Sequence, residues 1–190
     1  LSRGMIACWN SHFRLLRHIA TGSDDVAIVL EDDVDIEYNS HAILDGLWDA
    51  LPVGWDIVFL GHCWSPHEDF FPPLPLPNAT SSFESHPYRT DRIRYRLHPS
   101  LTPKCTHAYA VSRSGAARIS DSTHHSQFTG PSFAYGRALD QAFVRLVQGR
   151  RISAFSIVPS IVVQTKKSPS DITGGNGSSW RDVLLDSTLA

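Results

Sequence analysis

The sequence predicts an α/β fold, on three observations. Aliphatic and β-branched runs of strand length recur over 26–30, 56–61, 106–111 and 152–158. Between them lie segments whose apolar residues repeat at helical spacing. The two kinds of segment alternate along the chain, as they do in α/β domains. At 190 residues, of which 42% are apolar, the chain suits one domain with a substantial core.

Each element has its own signal. Ser2 can cap a helix running to about residue 20, with Met5, Ile6, Trp9, Phe13, Leu16 and Ile19 at helical spacing and Gly22 at the stop. A buried strand over 26–30 follows, and it runs straight into Glu31, Asp32, Asp33 and Asp35. A second helix over about 40–51 places Ile43, Leu44, Leu47 and Leu51 on one face, and Pro52 and Gly54 end it. Residues 56–61 read as a second buried strand. From His62 to about Lys104 the pattern collapses under Pro66, Pro72, Pro73, Pro75, Pro77 and Pro87. A loop of that length in a compact domain is usually functional, so it reads as a flap that orders on binding or as an insertion. A strand over 106–111 restores regularity. Ser112 then caps a short helix over 115–119, and His124 and His125 fall in a polar loop. A helix over about 138–148 carries Leu139, Phe143, Leu146 and Val147. A strand over 152–158 and an extended piece over 161–163 follow, and the tail from Ser168 is rich in Gly and Ser. There are no internal repeats.

The formal net charge of −2 offers nothing to nucleic acid or to an anionic membrane. Basic residues cluster over 89–96 and 145–151, as solvated faces or as contacts to an anionic donor. No stretch approaches the roughly 18 consecutive apolar residues that would span a membrane. Cys8, Cys63 and Cys105 follow no metal-ligand spacing; one disulfide plus a free thiol, or three buried thiols, both fit. The chain opens at Leu1 without a Met and reads as a piece of a longer protein. Asn78-Ala79-Thr80 and Asn176-Gly177-Ser178 match the N-glycosylation pattern and add a little weight to a lumenal reading.

The acidic run carries the chemistry. Carboxylates at the end of a strand lie at the sheet edge, where α/β proteins bind ligands. Clustered there, they repel one another unless a cation sits among them. Hard oxygen ligands suit Mg²⁺ or Mn²⁺, and these in turn suit phosphates. The competing reading is a solvated turn, and Asp35 is read that way. Asp140 opens a helix, where the positive end of the dipole stabilises an anion, and its plain reading is a helix-start acid. Ser11 and His12 share the first helix, where a histidine among apolar neighbours is commonly structural. His107, in a strand, reads as structural or cleft-lining.

Four segments, in this order, resemble glycosyltransferase family 25, which includes bacterial lipooligosaccharide galactosyltransferases and animal collagen galactosyltransferases. They are Gly4-Met5-Ile6-Ala7-Cys8-Trp9-Asn10-Ser11-His12, similar to a Gly-x-x-x-Cys-x-x-Ser-His helix, and Leu30-Glu31-Asp32-Asp33-Val34. The third pairs Trp55-Asp56-Ile57-Val58-Phe59-Leu60-Gly61 with Cys105-Thr106-His107-Ala108-Tyr109-Ala110-Val111-Ser112 and Gly115-Ala116. The fourth is Leu139-Asp140-Gln141-Ala142-Phe143 with Ala154-Phe155-Ser156-Ile157-Val158-Pro159.

The resemblance implies a GT-A-like sandwich with a mostly parallel central sheet, and about one further strand-helix unit ahead of the first helix. It implies transfer of a hexose, galactose before glucose, from a UDP-sugar to a glycan or to a hydroxylated protein- or lipid-linked acceptor. The implied route is inverting and assisted by a divalent cation, Mn²⁺ before Mg²⁺. Asp33, with Asp32 or Glu31, would hold the cation on the donor diphosphate, and one of the three would bind sugar or ribose hydroxyls. His12 and Ser11 would serve the donor side, and Asp140 would be the general base. Where collagen-type relatives carry Pro-Thr-His, this chain has Val163-Gln164-Thr165-Lys166-Lys167. A lysine ammonium has no lone pair for a metal, so Lys166 would contact the diphosphate, with Gln164, Asp171 or water completing the metal site. The implied location is the lumen of the Golgi or endoplasmic reticulum in a eukaryote, or the cytosolic membrane face in a bacterium. Membrane association would come only through segments outside this chain. Two other readings stand beside transfer. One is a non-catalytic family member that binds glycans or partners. The other is a metal-dependent phosphohydrolase, for which the sequence offers no further ligands.

Overall fold

The computed structural model describes residues 2–63, 65, 67–76, 95–124, 138–165, 184, 187 and 188. In chain order the elements are α1 (Arg3–Thr21), β1 (Val26–Leu30), β2 (Val34–Ile36), α2 (Ser40–Trp48), β3 (Ile57–Cys63) and α3 (His67–Phe70). They continue with β4 (Arg96–Pro99), β5 (Lys104–Ser112), α4 (Arg113–His124), α5 (Leu139–Gln148), β6 (Ala154–Val158) and β7 (Val162–Gln164). Five strands form one sheet in the order β1-β5-β3-β6-β4, and β2 with β7 forms a separate two-stranded sheet.

The α/β class holds, but the central sheet is mixed rather than mostly parallel. Among the described strands only β3 and β6 run parallel. The pairs β1–β5, β3–β5 and β4–β6 are antiparallel. Apolar runs report that a segment is buried in a sheet, not which way it runs. Here β5 inserts between β1 and β3 and opposes both, so neither makes a parallel pair with its neighbour on that side.

Helices cover both faces. On one face α1, α4 and α5 bury Leu16, Ile19, Ile119, Phe143 and Leu146 against Ile57, Phe59, Tyr109 and Val111. On the other, Ile43 and Leu47 of α2 pack with Val58, Leu60, Ala108, Ala110 and Ile157. Alternate residues of β3 and β5 therefore serve opposite cores, which is why both strands read as unbroken apolar runs. By contrast, β1 is an edge strand. It buries Val29 but leaves Ile28 52% and Leu30 43% exposed, correcting the expectation of a fully buried strand.

Ser2 accepts a hydrogen bond from the Met5 amide at 3.2 Å and caps α1. Ser112 Oγ accepts one from the Gly115 amide at 3.0 Å. The helix it caps is longer than the sequence indicated and takes in His124. Within the proline-rich stretch β4 pairs with β6, and His98 Nδ1 donates to the Phe71 carbonyl at 2.9 Å. Residues 77–94 lie outside the described residues. Cys63 and Cys105 form a disulfide that ties the end of β3 to the start of β5, and Cys8 is a free thiol.

Two glycines are required by close approach. A Cβ at Gly61 would collide with His107 Nε2 and the Val162 carbonyl, which hydrogen-bond to each other at 3.2 Å. A Cβ at Gly115 would collide with the backbone of Asp56. Asp56 is itself buried, and its carboxylate accepts from Arg118 Nε at 2.7 Å and the Ser153 amide at 2.8 Å. Overpacking of this kind typically costs about 1–3 kcal/mol. Gly115→Ala should therefore lower the unfolding free energy by about 1–3 kcal/mol, read as a lower urea midpoint at unchanged slope. An unaltered midpoint would show that α4 does not seat on β3 as described.

Candidate active site

The carboxyl ends of β1, β3 and β6 and the start of β5 share one end of the central sheet. Glu31 leaves β1 there, and its amide donates to the His107 carbonyl at 2.8 Å. Its side-chain Oε1 accepts from Thr106 Oγ1 at 3.1 Å and lies 3.5 Å from His12 Nε2. The opposite ring nitrogen, His12 Nδ1, is 2.9 Å from the Tyr109 hydroxyl. Tyr109 is wholly buried against Phe59 and Phe143, so its ring holds the imidazole in place from the core side.

The two charges of this pair sustain each other. Burial alone would lower the His12 pKa, but hydrogen bonds and charge from Cys8 and Glu31 outweigh it and raise the imidazole to about 9. Burial alone would raise Glu31, but His12 and the Thr106 hydroxyl hold its carboxyl below the usual range. Burial pushes the Tyr109 phenol well above its ordinary value, so it stays a neutral hydroxyl.

Among the described residues Asp33 has no such counter-charge. Its Oδ2 accepts from Gln164 Nε2 at 2.9 Å, while Oδ1 is buried with no hydrogen-bond partner among the described residues. Burial raises its pKa first, and the charges of Glu31 and Asp32 raise it further. An oxygen donor left unpaired in a negative field fits a hard divalent cation. Asp32, next to it, is exposed. The Asp33 carbonyl accepts from the Thr165 amide at 2.7 Å and from Thr165 Oγ1 at 3.0 Å, which joins the acidic run to the end of β7.

Asp140 stands in the first turn of α5, as its helix-start position required. Its Oδ2 accepts a long bond, 3.4 Å, from the Cys105 amide, and its buried Oδ1 has no partner among the described residues. Cys105 and Thr106 are adjacent, so β5 holds both Asp140 and Glu31 at its first residues. The structure thus gathers His12, Glu31 and Asp140 around the start of β5, with Asp33 on the same acidic run.

The remaining expectations resolve individually. Ser11 is exposed and makes no hydrogen bond among the described residues. Lys166, Asp171, His125, Asn78 and Asn176 lie outside the described residues. Asp35 is not a solvated turn acid: it is fully buried and accepts from the Ile36 amide at 2.9 Å, Ser187 Oγ at 2.6 Å and Thr188 Oγ1 at 3.2 Å. Alternation in β2 turns it inward, and the hydroxyls replace the water it loses. His107 is structural, donating to Val162. Arg150 and Arg151 line an open groove with Asp56 and Arg118 near the starts of β3 and β6, away from the acidic rim. Sequence reasoning missed His62, which burial holds down to about 4 as a neutral donor to the Ile157 carbonyl at 3.1 Å. Cys8, quoted in the first motif without a role of its own, lies four residues from His12 on α1 and near it in space.

The family model described as glycosyltransferase family 25 (LPS biosynthesis protein) matches residues 1–131, more than half of the chain. The match takes in α1, the acidic run, β3, β5 and α4, and ends before Asp140. No curated protein matches.

The His12 shift makes a signed prediction. Its folded pKa of about 9 lies above the ordinary 6.5, so its contribution is fully present below pH 6.5 and is lost as pH rises through 9. Wild-type unfolding free energy should fall by on the order of 3 kcal/mol across that window. His12→Gln should be nearly flat there. Equal slopes in the two proteins would remove the His12–Glu31 pair from the account.

Proposed function

The chain belongs to glycosyltransferase family 25, and from that premise we propose that it transfers a hexose from a UDP-sugar to an acceptor hydroxyl, with inversion, on a GT-A-like framework. Galactose is the favoured sugar and glucose the second. The acceptor is a glycan, or a hydroxylated protein- or lipid-linked group; the family's description, LPS biosynthesis, favours a glycan. The Cys63–Cys105 disulfide favours an oxidising compartment such as the secretory lumen.

The observation that carries this reading is the division of labour among the acids. Glu31 is neutralised from within the fold by His12, whereas Asp33 keeps a buried oxygen unpaired. Asp33, with Asp32 beside it, would hold Mn²⁺, or Mg²⁺ in its place. When bound, such a cation neutralises charge developing on the departing nucleoside diphosphate. Both described contacts to Glu31 fall on Oε1, which leaves Oε2 to accept from a sugar or ribose hydroxyl. His12 keeps that carboxylate ionised and fixed. Lys166 follows Thr165, which is bound to the Asp33 carbonyl, and supplies a cation for the diphosphate. Ser11 serves the outer edge of the donor site. Asp140 accepts the proton of the attacking acceptor hydroxyl through Oδ1, while the Cys105 amide steadies Oδ2.

A positioned base contributes on the order of 10²–10⁴-fold. Asp140→Asn should therefore lower kcat by that factor and leave donor binding intact. Full transfer activity in the variant would take Asp140 out of the role. With the wild-type chain, Mn²⁺ and UDP-galactose, UDP should be released only when acceptor is present. Equal release without acceptor would replace transfer by hydrolysis.

A further inference from the structure

Cys8 and His12 lie four residues apart in α1, so their side chains share one face of the helix. Glu31 reaches that face from the end of β1. One ligand atom from each residue, a sulfur, an imidazole nitrogen and a carboxylate oxygen, lies within 4.8 Å of the other two. We propose that Cys8, His12 and Glu31 bind a soft divalent cation of the zinc class, at a site distinct from the hard-cation site at Asp33.

The donor set makes the distinction. Asp33 and Asp32 offer only hard oxygen. A thiolate with an imidazole and a carboxylate suits Zn²⁺, which takes four ligands and commonly leaves one position to water when the protein supplies three. Tetrahedral Zn²⁺ with bonds of about 2.0–2.3 Å keeps its ligands roughly 3.3–3.8 Å apart, so modest side-chain rotation closes the group around an ion. The supporting contacts already exist. Tyr109 holds the far nitrogen of His12 at 2.9 Å, and Thr106 orients Glu31 at 3.1 Å. Such outer contacts fix ring orientation and ligand basicity in metal sites. Ligation displaces the protons on Cys8 and His12 into solvent and takes one oxygen of Glu31, Oε1 being the one nearest His12. The other sulfur–histidine group, Cys63, Cys105 and His107, has both sulfurs in the disulfide, so Cys8 supplies the one thiol.

The test is titration of the oxidised chain with Co²⁺, a spectroscopic stand-in for Zn²⁺, followed by absorption. The expected result is a thiolate-to-cobalt charge-transfer band that saturates at one equivalent and is erased by Zn²⁺. The band should be absent in Cys8→Ser and retained in Asp33→Ala. A second measurement needs no variant: Zn²⁺ should slow alkylation of Cys8 by iodoacetamide at least tenfold, read by mass spectrometry. A wild-type chain without the band, a band that survives in Cys8→Ser, a band lost in folded Asp33→Ala, or unchanged alkylation would each overturn the proposal.

Discussion

A carboxylate taken out of water at the end of a strand must meet a counter-charge, and the arrangement of this site follows from how each acid meets it. Glu31 is answered by His12 at 3.5 Å. That answer depends on α1, which Leu16 and Ile19 seat on the sheet, and on Tyr109, which holds the imidazole from inside the core. The pair joins a buried imidazole to a partly exposed carboxylate, and through its contacts it ties helix, strand and core together. Asp56 is answered by Arg118 and Asp35 by hydroxyls. Asp33 and Asp140 each keep one buried oxygen unanswered among the described residues, and of the two Asp33, beside Glu31 and Asp32, is the proposed ligand for an ion.

The middle of the sheet sets the spacing of the chemistry. β5 contacts β1 on one side and β3 on the other, and its first residues hold Asp140 through the Cys105 amide and Glu31 through the Thr106 hydroxyl. The disulfide fastens that same point to the end of β3. Asp140 and Glu31, the proposed base and the proposed donor-side acid, are thus held by neighbouring residues of one strand rather than by loops. Rigid support of this kind is what a site needs to hold its groups in reacting geometry. The family match takes in His12, Glu31 and Asp33 and stops short of Asp140, so the role proposed for Asp140 rests on its geometry and on the motif around it.

Much of this was legible in the sequence because it is local. The helix caps at Ser2 and Ser112, the two-sided burial of β3 and β5 and the acidic run each write a pattern within a few residues. What stayed hidden depends on distant partners. Strand direction is decided by the neighbour, and β5 comes between strands that precede it by tens of residues. The exposure of β1 follows from its place at the edge. Asp35 read as a solvated acid because the hydroxyls that receive it, on Ser187 and Thr188, lie 152 and 153 residues further along the chain. His12 could be placed on a helix face by its spacing, but Tyr109, 97 residues away, decides that it faces the site as an oriented cation.

The central claim is that Asp33 holds the cation through which this chain grips a nucleoside diphosphate. Calorimetric titration of UDP, with and without Mn²⁺, against the wild-type chain and Asp33→Ala tests it most directly. The account predicts saturable binding only for the wild type in the presence of Mn²⁺. Equal binding without the metal or in Asp33→Ala, or no binding at all by folded wild-type protein, would contradict it.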